Sequence, residues 1–245
     1  MSDVQLLDVY QGALEFITLR ASLLSSLNRR VAASDHLERA SESIALNIAH
    51  ANSSWAPAER IKYIGHSNGS ALECAACIDV LVAKEMTAVG DVVQHKELLQ
   101  RIVQMLIKWQ VATSSRLHES GSVYQVDSRI RFDHERLDVY QLSLQLIQWI
   151  ERVSPNLVGS SDLFAKLDKS STSIVLNIAE GNGRFKVKDR KRFIATAAKS
   201  ALQTRSLLDI ASFSDTPQSP AAKEGHEKLT RITAMLSKWE ASLIV

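Results

Sequence analysis

Apolar residues recur along this chain at intervals that alternate between three and four, the spacing that lines one face of an α-helix. Leu7, Tyr10, Leu14 and Ile17 form the first such stripe, and Leu137, Tyr140, Leu144 and Ile147 repeat it 130 positions later. The spacing predicts a helix from about Asp3 into the twenties and a twin near Asp133. Asp133 is expected to cap the twin, with Phe132 packing on Leu137 as a hydrophobic staple. Polar stretches, Asn28 to Asp35 and Ser154 to Asp162, lead into second helices carrying Leu37, Ile44 and Ile48 or Leu167, Ile174 and Ile178. Third helices are expected to start near Pro57 and Val187. Their stripes are Ile61, Ile64, Ala71, Ala75 and Ile78 in one copy and Ile194, Ala197, Ala201 and Leu208 in the other. Small residues beside them, such as Gly65, Gly69, Ala195 and Ala198, allow close helix approach and make this helix the expected most enclosed of the four. Breaks at Val89-Gly90-Asp91 and from Ser214 to Pro220 precede the last helices, with Leu99, Ile102, Leu106 and Trp109 or Leu229, Ile232, Leu236, Trp239 and Leu243.

Four helices, the same order and one constant offset predict an all-α chain of two tandem up-and-down four-helix bundles. The expected domains are 1–120 and 133–245, joined by a polar linker at 121–132.

Composition changes this picture in one respect. The chain of 245 residues has a net charge of only +2, yet residues 1–125 hold 11 Lys and Arg against 13 Asp and Glu, and residues 126–245 hold 18 against 14. The halves are therefore −2 and +4, and any polyanion-binding role belongs to the second, because phosphate contacts draw on locally clustered cations. The acidic opening Met1-Ser2-Asp3 lacks the pattern of a secretion signal, and no apolar run approaches the roughly 20 residues of a membrane span. A cytoplasmic location is expected, in keeping with just two cysteines, Cys74 and Cys77.

Little in the chain points to catalysis. Cys74-Ala75-Ala76-Cys77 has redox spacing but falls in mid-helix, away from the helix start that would lower a thiol pKa, so both cysteines are read as core. No Glu-x-x-His pair suggests a di-metal carboxylate centre, and the glycines match no phosphate-binding loop. No catalytic residue, metal ligand or cofactor is expected. Trp109 and Trp239 lie on apolar seams and are read as core rather than as base-stacking platforms. Ser43 with Asn47, and Ser173 with Asn177, share a helix face one turn apart, where a half-buried amide fixes register by hydrogen bonding.

The most informative stretch is Arg184-Phe185-Lys186-Val187-Lys188-Asp189-Arg190-Lys191-Arg192, with six cations and one anion around the start of the third helix. Positive charge there opposes the helix dipole, so Arg184, Lys186, Lys188, Arg190, Lys191 and Arg192 are read as candidate nucleic-acid contacts rather than as stabilising residues. A solvated charged loop is the competing reading. The first copy has only Arg60 and Lys62 against Glu59.

Immediately before this cluster, the residues from Ser173 to Arg184 read Ser-Ile-x-x-Asn-Ile-Ala-Glu-Gly-x-Gly-Arg. This resembles the signature of a bacterial family of four-helix-bundle proteins encoded in intervening sequences of 23S rRNA genes. Ser173, Asn177, Glu180, Gly181, Gly183 and Arg184 carry the resemblance, and the two glycines are expected to end the helix by tolerating a left-handed backbone. Ser200-Ala201-Leu202-Gln203 resembles a later family segment whose last residue is usually Glu, as Glu73 is in the first copy. There the motif degenerates to His50, Ala51, Ser53 and Ser54. The family is also similar to the accessory variability proteins of diversity-generating retroelements, which are basic, form five-fold barrels and associate with nucleic acid and a reverse transcriptase. The resemblance thus implies a non-enzymatic helical scaffold, with structured RNA or another polyanion, and by resemblance a reverse transcriptase, as partners. A protein-interaction or self-assembly module without nucleic acid is the alternative. Because each chain brings two bundles, a monomer or dimer is expected rather than a five-fold ring.

Overall fold

The computed structural model describes residues 3–115, 133–157, 159–184, 186–212 and 220–243. Among them are eight α-helices and no strand: α1 Asp8–Ser26, α2 Ala32–Ser53, α3 Pro57–Ala83, α4 Val93–Ser115, α5 Asp138–Val153, α6 Ser161–Asn182, α7 Val187–Ser212 and α8 Pro220–Ser242. The expected linker at 121–132, the Phe132 staple and Pro217 lie outside the described residues. No helix of the described residues is long and apolar enough to cross a membrane.

The chain forms two compact units. The first comprises Met1–Leu27, His36–Ala75 and Val89–Phe132; the second comprises Asn28–Asp35, Ala76–Ala88 and Asp133–Val245. The second unit therefore takes in two segments that belong, by sequence, to the first copy.

In the second unit α5 packs on α6 and α8, α6 on α7 and α7 on α8, the closed neighbour pattern of an up-and-down bundle. Leu146, Ile174, Ile178, Ile194, Ala197, Ile232 and Leu236 are fully buried at its centre. Gly225 of α8 is buried where the Trp149 indole of α5 crosses it; a Cβ there would lie 2.3 Å from the ring. Lys84, buried in the same unit, pairs with Glu151 and, at 2.9 Å, with Asp168 Oδ1. The Asp168 carboxylate also accepts the Ala32 amide at 2.7 Å, so the buried ammonium is compensated and its partner is itself satisfied. Tyr140 is fully buried, and burial first, then the adjacent Asp79 carboxylate, pushes its phenol well above the ordinary range.

In the first unit α1 packs on α4, and Phe16, Leu37, Ile44, Ile48, Ile64, Leu99, Ile102 and Leu106 are fully buried. Arg20 is buried as well and pairs with Glu38 at 3.2 Å and Glu42 at 3.6 Å. His95 of α4 meets the Leu19 carbonyl at 3.1 Å.

Three expectations are corrected. The seam of the first helix is displaced: α1 buries Val9, Gly12, Ala13, Phe16 and Leu23, while Leu14 is 39% exposed and Leu7, Tyr10 and Ile17 lie at the margin. In α5 the buried set is Val139, Tyr140, Leu142, Ser143, Leu146, Ile147, Trp149 and Ile150, with Leu144 at the margin. The stripe read from large side chains misses faces on which Gly12, Ala13 and Ser143 hold core positions. Asp133 does not cap α5, because it begins a separate 3-10 turn, Asp133–Arg136, and Leu137 stands at the α5 N-cap without a side-chain bond. Finally, Trp109 and Trp239 are half-buried at the ends of their seams rather than enclosed.

Candidate nucleic-acid interface

The basic stretch follows the turn from α6 to α7, and its six cations do two different jobs. Arg190, in the first turns of α7, reaches back and donates from Nη2 to the Arg184 carbonyl at 2.8 Å. Arg184 lies two residues past the end of α6, so this guanidinium satisfies a carbonyl of the turn and places positive charge near the negative end of the α6 dipole. Arg184 pairs with Glu180 one turn earlier, its side chain 15% exposed, and its guanidinium lies over the Phe193 ring at 4.8 Å. Arg192 approaches the same ring at 5.0 Å, so one aromatic ring serves two cations.

Two of the six candidate contacts, Arg184 and Arg190, therefore have partners within the protein: they oppose the start of α7 but brace the turn that follows α6, which gives them a structural role beside any contact with a polyanion. Lys186, Lys188 and Arg192 are exposed and Lys191 is half-buried. Among the described residues none of these four is paired with a carboxylate. Asp189 is the acidic residue of the first α7 turn.

The signature residues are placed around this turn. Asn177 donates from Nδ2 to the Ser173 carbonyl at 2.7 Å and to Ser173 Oγ at 3.1 Å, and Ser173 Oγ lies 2.9 Å from Ser200 Oγ of α7. Asn47 repeats the arrangement with the Ser43 carbonyl at 2.8 Å and Ser43 Oγ at 3.0 Å, and Ser70 closes it at 2.9 Å. Each amide thus fixes its own helix turn and, through serine, the neighbouring helix. Gly181 and Gly183 do not end α6 through a left-handed backbone: no described glycine has positive φ, and Gly183 sits at φ −78°, ψ −3°. Gly181 instead permits close approach, since a Cβ on it would stand 3.0 Å from Phe193 Cβ.

The equivalent turn of the first copy keeps the brace and loses the charge. Arg60 donates to the Ala51 carbonyl at 3.1 Å and the Ser54 carbonyl at 2.8 Å, matching Arg190. His50 faces the Tyr63 ring at 5.1 Å where the second copy has Glu180 and Phe193. Trp55, 83% exposed, borders a cavity of about 280 Å³ with Leu7, Asn52, Arg60 and Trp109. Neither the arginine brace nor Trp55 was foreseen. The brace has a signal only in the matching positions of Arg60 and Arg190, whereas Trp55 lies off every apolar stripe.

Cys74 and Cys77 are both buried and unbonded to each other. Burial, with Glu73 adding to it, pushes the Cys74 thiol well above its ordinary value, the opposite of what a redox nucleophile needs.

No curated protein and no solved structure matches the chain. The family model of the 23S rRNA-intervening sequence protein matches twice, over residues 5–108 and 135–238, with the same 130-residue offset that separates the two apolar patterns. Together the two matches cover most of the sequence, and each takes in three whole helices and most of a fourth, with its serine–asparagine network. The chain therefore belongs to the 23S rRNA-intervening sequence protein family, as a tandem duplication.

Proposed function

We propose that this protein is a non-enzymatic helical scaffold, working in the cytoplasm, whose second copy binds structured RNA or a related polyanion through Lys186, Lys188, Lys191 and Arg192. The observation that carries this reading is the division of labour at the α6–α7 turn. Arg184 and Arg190 brace the helix end, leaving four neighbouring cations with no carboxylate partner among the described residues. Such a cluster gains by replacing the counterions of a phosphate backbone. Lysine and arginine contacts of this kind go to phosphates, so on this reading recognition rests on charge and shape.

A second reading has its own observation. Trp55 is a large apolar side chain beside a cavity, and exposed tryptophan is characteristic of protein-interaction surfaces. On this reading the first copy supplies a docking or self-assembly surface, with a monomer or dimer as the resting state. Retention on immobilised RNA and on heparin across a salt series separates the two. Polyanion binding weakens steeply as salt rises, whereas docking through Trp55 persists and is lost in Trp55→Ala.

A further inference from the structure

Away from the basic turn, the second unit gathers three metal-ligating side chains from distant parts of the sequence. Asp79, near the end of α3, and His134 and Glu135, on the Asp133–Arg136 turn, each bring one donor atom within 4.8 Å of the other two. His134 is fully buried, while Asp79 and Glu135 are half-buried. We propose that these three residues bind one divalent cation of the zinc class.

The surroundings support a ligand set rather than a chance meeting of charges. Fully buried Tyr140 donates its hydroxyl to Asp79 Oδ2 at 2.8 Å, and its ring stands edge-on to the His134 imidazole, with centroids 4.8 Å apart and planes at 78°. One tyrosine therefore holds a carboxylate by hydrogen bond and orients an imidazole by packing, the outer-shell support that ligating groups require. Two carboxylates this close repel each other in a half-buried setting, and a divalent cation converts that repulsion into coordination. The donor set of one imidazole nitrogen and two carboxylate oxygens favours zinc or another first-row divalent ion over magnesium or calcium, which take all-oxygen shells. Bonds of about 2.0–2.2 Å place tetrahedral ligand atoms roughly 3.4 Å apart, so the set, now within 4.8 Å, closes by up to about 1.4 Å on binding, within the reach of side-chain rotation. Three protein ligands also leave a position for water.

Duplication does not account for the cluster. The first-copy counterparts of His134 and Glu135 are Val4 and Gln5, and the second-copy counterpart of Asp79, Asp209, faces His226 at 3.2 Å instead. The site exists only where residues 76–88 join residues 133–140 in the second unit, and a bound cation would staple those segments together.

Chelator-treated, desalted full-length protein should take up one equivalent of Zn²⁺ by titration calorimetry, with Mg²⁺ giving no comparable heat. Co²⁺ should give a visible d–d spectrum without the charge-transfer band of a thiolate, which sets this site apart from Cys74 and Cys77. Glu135→Gln and Asp79→Asn should each weaken uptake by at least about tenfold, and Tyr140→Phe, which removes only the outer-shell bond, by roughly tenfold. Where His134→Gln lowers helicity by circular dichroism, the two isosteric carboxylate variants decide. The proposal is overturned by absence of a stoichiometric site, by uptake indifferent to Glu135→Gln and Asp79→Asn, or by a thiolate band. Any of these would leave the cluster as a histidine packed between two carboxylates.

Discussion

The turn from α2 to α3 and the turn from α6 to α7 descend from one pattern and now differ in what they show to solvent. Both keep an arginine, Arg60 or Arg190, donating to the backbone carbonyl six residues earlier, just past the end of the preceding helix, and both keep the serine–asparagine–serine network. Around this shared frame the second copy places the Glu180–Arg184 pair and two cations on Phe193, and the first copy places His50 on Tyr63 and Trp55 in the open. The frame is what the fold needs, since it satisfies backbone and side-chain polar groups in and before the turn that would otherwise be left unpaired. The remainder is free to diverge, and divergence there separates a charged surface from an aromatic one.

The largest effect should come from removing the charge that distinguishes the copies. Reversing the three exposed cations Lys186, Lys188 and Arg192 to glutamate should abolish retention on RNA and on heparin. Reversing three exposed cations of the first copy, Lys62, Arg101 and Lys108, should leave most of it. Every cation that no longer meets a phosphate should lower the slope of log affinity against log salt by about one, so the first variant loses roughly three. Melting should change little in either, because exposed charges contribute within about 0.5 kcal/mol. Equal losses from the two variants would remove the assignment of binding to the second copy.

Much of this comparison can be read from the sequence, and its limits have a physical origin. Stripes such as Leu37, Ile44 and Ile48, or Leu229, Ile232 and Leu236, are buried as the period predicts, because large aliphatic side chains at helical spacing have no other place to go. The seam of α1 is less legible, since Gly12 and Ala13 hold core positions without adding to an apolar signal. The roles of Arg60 and Arg190 are hidden because their partners are backbone carbonyls, which no residue type announces. The Asp79, His134 and Glu135 cluster is hidden for another reason: Asp79 lies 55 positions before His134, and the two meet only through tertiary packing.

The brace itself should respond in the same direction in the two copies, more strongly in the first. Arg60→Met leaves two backbone carbonyls without their donor and Arg190→Met leaves one, each keeping the aliphatic stem, at a cost of about 1–3 kcal/mol per charge-assisted bond. Urea midpoints should fall for both, and RNA retention at low salt should survive in Arg190→Met, because the four outward cations remain. Retention lost in Arg190→Met without a fall in midpoint would return that arginine to the binding surface.

A somewhat smaller and symmetrical effect is expected from the central amides. Asn47→Ala and Asn177→Ala each remove a side chain that bonds Ser43 or Ser173, and the serine pair across the helices loses its anchor. About 1 kcal/mol per variant is the expected loss, seen as a lower melting temperature. A change in RNA retention for Asn177→Ala at unchanged melting would place that residue in the interface.

The smallest effect sharpens the comparison most finely, because at position 181 the two copies differ by a single methyl group. Gly181 is buried in the last turns of α6, and its first-copy counterpart, Ala51, is fully buried in α2. Replacing Gly181 by alanine gains helix propensity, up to about 1 kcal/mol in a helix interior and less near an end. Against this, the new Cβ lies 3.0 Å from Phe193 Cβ, an atom fixed to the α7 backbone, so the helix and not a flexible side-chain tip has to move. Because the helix has to give by only a few tenths of an ångström, the cost lies at the low end of the about 1–3 kcal/mol typical of overpacking, and with the propensity gain the net should be a destabilisation of about 1 kcal/mol or less. Displacing Phe193 also disturbs the ring that Arg184 and Arg192 share, so Gly181→Ala should weaken RNA retention slightly while Lys186 and Lys188 continue to bind. The reciprocal change, Ala51→Gly, should cost about 0.5–1 kcal/mol through backbone entropy alone. A urea midpoint that rises in Gly181→Ala would show that α7 yields freely, and that the glycine is retained for something other than the approach of Phe193.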